Sequence, residues 1–177
     1  MKILVTGSKG QLGNEIQVLS KRHPQHNYVF VDVDELDITN NTSVQQFFAQ
    51  HQFDVCINCA AYTAVDKAEG DDTMAALINV TGVEYLANAC QRAGAVLFHI
   101  STDFVFDGEK GLYKEEDSCQ PVNFYGKTKN EAEDAVKEYE YDWAIVRTSL
   151  VYGKPLAGGS NILTVVKDKL ERGEEYS

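Results

Sequence analysis

The chain has 177 residues, and its 16 Lys and Arg against 27 Asp and Glu give a formal charge of −11 and a pI near 4.7. This balance argues against a nucleic-acid backbone or an anionic membrane as partner, yet leaves room for a small anion held locally by backbone N–H groups. No apolar stretch approaches the roughly 20 residues of a membrane helix, and Met1-Lys2 runs straight into strand-like Ile3-Leu4-Val5, so a cytoplasmic chain without a signal peptide is expected.

Lys2-Ile3-Leu4-Val5-Thr6 predicts a short strand, followed by Gly7-Ser8-Lys9-Gly10-Gln11-Leu12-Gly13 and an apolar pattern at Leu12, Ile16 and Leu19 with helical spacing. The glycines fall as G-x-x-G-x-x-G between strand and helix. The first permits a tight turn, the second lets backbone approach a pyrophosphate, and the third lets the helix pack close on the strand. Free N–H groups and the positive end of the helix dipole complete an anion site. Tyr28–Val31 predicts the second strand, ending at Asp32, where a carboxylate nineteen residues beyond Gly13 suits an adenosine ribose 2′-hydroxyl. A dinucleotide is therefore expected, NADH in preference to NADPH. Asp32-Val33-Asp34-Glu35 supplies several carboxylates, one of which also reads as solvated turn charge, and Asp37, followed by Ile38, is a candidate for the adenine edge or a turn residue. Thr42 is read as the N-cap of a helix through Val44, Phe47 and Phe48.

The next buried strand, Asp54 to Ala61, runs into small residues that let the chain pass tightly against a ligand, and Tyr62 to Glu69 is a polar loop leading toward a helix. A helix over Met74 to Ala93 follows from Leu77, Ile78, Val83, Leu86, Ala87 and Cys90, with Gly94 as its stop. Asn79, polar among these neighbours, must find a partner. Ala95–Ile100 reads as a buried strand that leads to Thr102, and Phe104 to Gly111 as a loop whose apolar residues cover the site. Tyr125 opens a helix to about Tyr139; a strand Trp143–Arg147, the loop Leu150-Val151-Tyr152-Gly153, then Gly158-Gly159-Ser160 and a last helix from Ile162 to about Arg172 complete the chain. Strands alternating with helices predict an α/β fold, a doubly wound parallel sheet.

Chemistry is expected where Ser101-Thr102-Asp103 meets Tyr125-Gly126-Lys127-Thr128-Lys129. Tyr125 and Lys129, four apart, share one helix face, and a Lys charge that close lowers a phenol pKa from its reference of about 10. Such a Tyr is a usable acid or base. The spacing alone also fits an ordinary pair on a helix surface. Cys56-Ile57-Asn58-Cys59 has the C-x-x-C spacing, but its strand setting and the lack of a second such pair favour Cys56 as a core residue; Cys90 and Cys119 add no pattern, and the four His at 23, 26, 51 and 99 do not cluster as metal ligands would.

Thr6-Gly7-x-x-Gly10-x-x-Gly13, Asn58-Cys59-Ala60-Ala61, Ser101-Thr102-Asp103 and Tyr125-x-x-x-Lys129 together resemble the extended short-chain dehydrogenase/reductases. Within them, Ala60 to Glu69 and Ser101 to Gly108 look most like the dTDP-4-dehydrorhamnose reductase family. The resemblance implies an NADH- or NADPH-dependent reduction of a 4-keto group on a dTDP-sugar substrate, with a homodimer as a possible assembly. It implies Thr102, Tyr125 and Lys129 as catalytic, and Gly7, Gly10, Gln11, Leu12, Gly13, Asp32, Asp37, Ile38, Ala60, Ala61, Tyr62 and Ile100 at the cofactor, with Tyr125 and Lys129 also reaching it. Val65, Thr102, Asp103 and Leu150 would face the sugar. Phe104 stands where the family usually has Tyr, Cys59 where it has Ala, and Leu150 where it often has Trp. Family members run on by roughly a hundred residues, so 1–177 is expected to be the NAD(P)-binding Rossmann domain of a longer reductase, with most of the substrate lobe absent. A silent dinucleotide-binding subunit that regulates a partner, or a nucleotide-sugar epimerase or dehydratase, remain the alternatives.

Overall fold

Short runs rich in β-branched and aromatic residues form the strands β1 (Lys2–Thr6), β2 (Asn27–Phe30), β3 (Val55–Asn58), β4 (Val96–Thr102) and β5 (Trp143–Thr148) in the computed structural model, which describes residues 1–153 and 161–175. The segment Gly158-Gly159-Ser160 and the terminal Tyr176-Ser177 lie outside these residues. All neighbouring strands are parallel, in the order β2-β1-β3-β4-β5. The chain leaves β1 toward β2 on one side and then returns to β3 on the other. This reversal opens a crevice beyond the carboxyl ends of β1 and β3, the place where open α/β sheets bind ligands.

The helices are α1 (Gln11–Ser20), α2 (Asn41–His51), α3 (Val65–Ala68), α4 (Asp72–Ala76), α5 (Gly82–Ala93), α6 (Phe124–Lys137) and α7 (Ile162–Glu171). The expected long helix from Met74 begins two residues earlier, and a π segment at Leu77–Thr81 joins α4 to α5 before Gly94 ends the run at φ 68°. The cap of α2 is Asn40, whose Oδ1 accepts from Ser43 N–H at 3.1 Å, rather than Thr42. Strand β4 runs on through Ser101 and Thr102, because Thr102 still pairs with Thr148 of β5.

Helices α2, α5 and α6 pack side by side over one sheet face. There Leu4, Cys56 and Leu97 of the strands meet Phe48, Leu86 and Val136 of the helices. Cys56 is thus a core residue, as its strand setting implied. The apolar face expected on α1 is only half covered: Leu12 and Ile16 are half-buried and Leu19 is exposed. On the sheet face opposite α6, Phe98 and Val146 are likewise exposed.

A buried ion pair ties α6 to β5. Arg147 donates from Nε and Nη2 to the two carboxylate oxygens of Glu133 at 2.8 and 2.6 Å, and Ser101 Oγ donates to Oε1 at 2.6 Å. The Glu133 side chain has no exposed surface. Burial alone would raise its pKa, but hydrogen bonds from Arg147 and Ser101 hold it below the ordinary 4.5. Its stabilisation is therefore present above the unfolded-state pKa and lost as pH falls through the folded one. Glu133→Ala leaves Arg147 without its partner and costs about 3–5 kcal/mol. Urea unfolding at pH 7 and at stepwise lower pH checks this: the variant starts less stable and loses less on acidification, and a wild-type midpoint at pH 7 would refute it.

Candidate active site

The turn after β1 begins with Gly7 at φ +61°, a conformation that side chains rarely adopt. A Cβ there would sit 2.6 Å from Ala60 N, and one on Gly13 would sit 2.7 Å from Ser8 Cα. Both glycines are therefore needed for strand, turn and α1 to close on the loop after β3. Gly10 is the N-cap of α1 and offers no side-chain cap to the first-turn N–H groups. Gln11 Nε2 is buried on the cleft wall, on the side where Gly153 approaches α1, with no hydrogen-bond partner among the described residues. Uncapped donors and an orphaned amide are what an anion would satisfy, so these residues fit a pyrophosphate.

From this turn a cleft of about 900 Å³ extends across the carboxyl ends of the strands to α6. Its wall includes Gly7, Gly10, Gln11, Leu12 and Gly13 at the turn, then Asp32, Asp37 and Ile38, then Ala60, Ala61 and Val65, and finally Ile100, Thr102, Tyr125 and Lys129. Most residues singled out in the sequence thus converge on one surface. Tyr62, Asp103 and Leu150 are not part of that wall. The Tyr62 hydroxyl donates to Asp71 at 3.2 Å, and Leu150 is 58% exposed. Asp32 is partly engaged already, accepting from Lys9 N–H at 2.8 Å and Val33 N–H at 2.9 Å, while Asp37 accepts from Thr39 N–H at 2.9 Å. Lys9 pairs with Asp34 at 2.6 Å on the exposed rim.

Asn79 does find partners. From the π segment it accepts from Tyr62 N–H at 2.8 Å and donates to Tyr62 O at 3.2 Å and Thr128 Oγ1 at 3.0 Å. One amide therefore holds the loop after β3 against α6. Asn123 Oδ1 caps α6 by accepting from Gly126 N–H at 2.7 Å. The first turn of α6 then presents Tyr125, buried, with Phe104 edge-on at 5.9 Å.

The Tyr125 hydroxyl faces Thr102, whose Oγ1 accepts from Phe104 N–H at 3.2 Å and donates to Asp103 Oδ1 at 3.3 Å. The Tyr125 phenol is nevertheless pushed above 10, first by burial, with Thr102 opposing and Asp103 adding to the rise. The expectation that Lys129 lowers it is not met, because the ammonium position is turned elsewhere: Lys129 Nζ donates to Ile100 O at 2.7 Å and lies 3.3 Å from His99 Nε2. Lys129 is 1% exposed, and burial lowers its pKa from 10.5 to about 8 against the opposing charge of Glu133. Burial likewise pushes the Cys59 thiol, on the same cleft wall, to about 12, so it is a poor nucleophile at neutral pH.

His99, Asn58 and Glu133 were passed over as site residues in the sequence. For Asn58 and His99 the available signal is a polar residue at a core position inside an apolar strand, and for Glu133 its four-residue step from Lys129 on one helix face; each demands a buried partner.

Sheet order, switch point and glycine turn define a Rossmann-type α/β domain. The chain belongs to the family described as the RmlD substrate binding domain, whose model matches residues 1–177. A dTDP-4-dehydrorhamnose reductase of Aggregatibacter actinomycetemcomitans is 39% identical over 187 residues, covering 99% of this chain and 63% of that protein. The crystal structure of a dTDP-4-dehydrorhamnose reductase from Clostridium acetobutylicum superposes with a TM-score of 0.92 at 43% identity, covering 97% of this chain and 60% of that one. One from Bacillus anthracis, solved in complex with NADP, gives 0.90 at 38% identity with the same coverage of 97% and 60%. The chain therefore spans less than two thirds of the length of these relatives.

Lys129 binds fewer protons folded than unfolded between pH 8 and 10.5, so wild-type stability rises across that window. The full difference is worth roughly 3 kcal/mol. Lys129→Met removes it: denaturant unfolding of both proteins at pH 7, 8, 9 and 10 should show wild type gaining on the variant by that order. A difference that stays flat with pH would place the Lys129 pKa near its ordinary value.

Proposed function

We propose that the chain is the cofactor-binding and proton-donating part of a reductase that converts the 4-keto group of dTDP-4-dehydrorhamnose to the alcohol of dTDP-L-rhamnose, using NADH or NADPH. The observation that carries this is the cleft itself: Thr102, Tyr125 and Lys129 stand at one end of the surface whose other end is the glycine turn. The family and the names of the relatives support the substrate class.

In this reading the dinucleotide supplies a hydride to the carbonyl carbon. The protein's own residues do the rest. The uncapped N–H groups of the first turn of α1, at Gln11 and Leu12, would hold the pyrophosphate, Asp32 and Asp37 would meet the adenosine end, and Ala60 and Ala61 would let the backbone pass close to the inner ribose. The Tyr125 hydroxyl gives its proton to the carbonyl oxygen as charge develops there, and Thr102 Oγ1 hydrogen-bonds the same oxygen and fixes its position. Val65 borders the sugar side of the cleft.

Binding and chemistry are tested separately. NADH fluorescence should respond on titration of the chain, and Gly10→Asp should weaken binding by setting a carboxylate against the pyrophosphate. An unchanged affinity in that variant would remove the anion site from the turn.

In the full-length protein, assayed with dTDP-4-dehydrorhamnose and NADH or NADPH, Tyr125→Phe should lower kcat by roughly 10²–10⁴-fold, the usual contribution of a general acid, with cofactor affinity retained. A Tyr125→Phe protein as fast as wild type would reassign the acid. Binding of dinucleotide without any turnover would instead favour a silent regulatory subunit.

A further inference from the structure

Three strands place polar residues in one lateral row beneath α6. Thr6 of β1 pairs in register with Asn58 of β3, and Asn58 with His99 of β4. All are buried, Asn58 at 1% and His99 at 0% exposure. Their hydrogen bonds have a direction that can be worked out. Asn58 Oδ1 accepts from Thr6 Oγ1 at 2.6 Å and from Ala60 N–H at 3.2 Å. A backbone N–H can only donate, so this oxygen cannot be exchanged with the amide nitrogen without losing that bond. The Asn58 Nδ2 group therefore faces His99 Nδ1, at 3.3 Å, as a donor.

A neutral imidazole has one acceptor and one N–H. If Nδ1 accepts from Asn58, the proton sits on Nε2, and Nε2 faces Lys129 Nζ at 3.3 Å. An ammonium there would set donor against donor. A neutral amine would not: its lone pair accepts from His99, and one of its two hydrogens still reaches Ile100 O.

We propose that His99, oriented by Asn58, is a positioning residue that presents its Nε2–H to Lys129 and so favours the neutral amine. Burial, then the Lys129 charge, keeps the His99 pKa well below 6.5, which excludes an imidazolium at neutral pH. Other groups face Lys129 as well. Glu133 on α6 favours the ammonium, Cys59 beyond β3 is a neutral thiol at these pH values, and burial opposes the ammonium most; the relay adds to burial. On the dinucleotide reading above, an anionic cofactor offering ribose hydroxyls as acceptors raises the Lys129 pKa, so its binding takes up a proton at a pH just above 8.

The test begins with the tautomer, on the chain alone. With His23, His26 and His51 replaced by Gln, ¹⁵N-labelled histidine leaves His99 as the one ring system in the NMR spectrum. A neutral ring protonated on Nε2 from pH 6 to 9 is expected; protonation on Nδ1, or an imidazolium, overturns the relay. In His99→Phe, which keeps a ring and removes both nitrogens, the Lys129 titration followed at its Cε resonance should move upward by about one pH unit, a tenfold change in its acidity. A merely structural histidine would leave that midpoint in place, and if the variant does not fold, the tautomer decides alone. Calorimetry of NADH binding at pH 8.5 in buffers of different ionisation enthalpy should then show proton uptake that Lys129→Met abolishes. Binding without uptake overturns the coupling, whereas no binding at all counts against the dinucleotide reading and leaves the tautomer result to judge the relay.

Discussion

The site depends on how α6 is seated on the sheet. Tyr125, Lys129 and Glu133 follow one another at four-residue steps along a single face of that helix. Lys129 sits over the row Thr6, Asn58 and His99, and Glu133 over the row Ser101 and Arg147, which are paired in register on β4 and β5. Each charged side chain thus meets a polar row of the sheet rather than hydrocarbon. Two such contacts one turn apart fix both the rotation of α6 and its position along the strands, and Tyr125, one turn further on, inherits that placement at the cleft.

The two contacts differ in energetic character. Glu133 is compensated directly by the forked guanidinium of Arg147 and by Ser101, with Phe106 lying under the guanidinium at 5.0 Å. It remains ionised. Lys129 has no such direct counter-ion; it has a carbonyl and an imidazole, and the cost of its charge appears as a lowered pKa. The pair is thereby divided into an anchor, which holds its charge through the physiological range, and a group whose charge is easily given up. A buried Lys close to its titration point costs stability but can respond to what enters the cleft.

The fold was legible because it rests on local signals. The apolar strand runs, the glycine turn, Gly94 as a stop and the alternation of strand and helix each follow from a few neighbouring residues. The boundaries missed are those set by tertiary pairing: β4 continues through Thr102 because β5 lies beside it, and the cap of α2 is Asn40 because its side chain reaches Ser43. Within the site, the glycine turn, Thr102, Tyr125 and Lys129 were legible from motif spacing, and Ile38, Ala60, Ala61 and Val65 from the resemblance; all line the cleft, together with Met74, Leu77 and Ser149, which carry no motif. Those that support them from below were not legible, since Thr6, Asn58 and His99 lie far apart in sequence and meet only through strand register. The exposed Leu19 and Phe98 have a different origin: their apolar periodicity is readable, but the chain's described residues leave those faces open.

The electrostatics of Tyr125 also changes the argument about its role. From the spacing with Lys129 alone, a depressed phenol pKa is the natural expectation. In the structure burial dominates and the phenol holds its proton more firmly, while Thr102 orients it. In the reduction proposed above this would be the useful state, because the acid must be protonated when the hydride arrives. What burial takes away is driving force for releasing that proton. The same low dielectric moves both groups toward their neutral forms, Tyr125 upward and Lys129 downward, through burial rather than through each other.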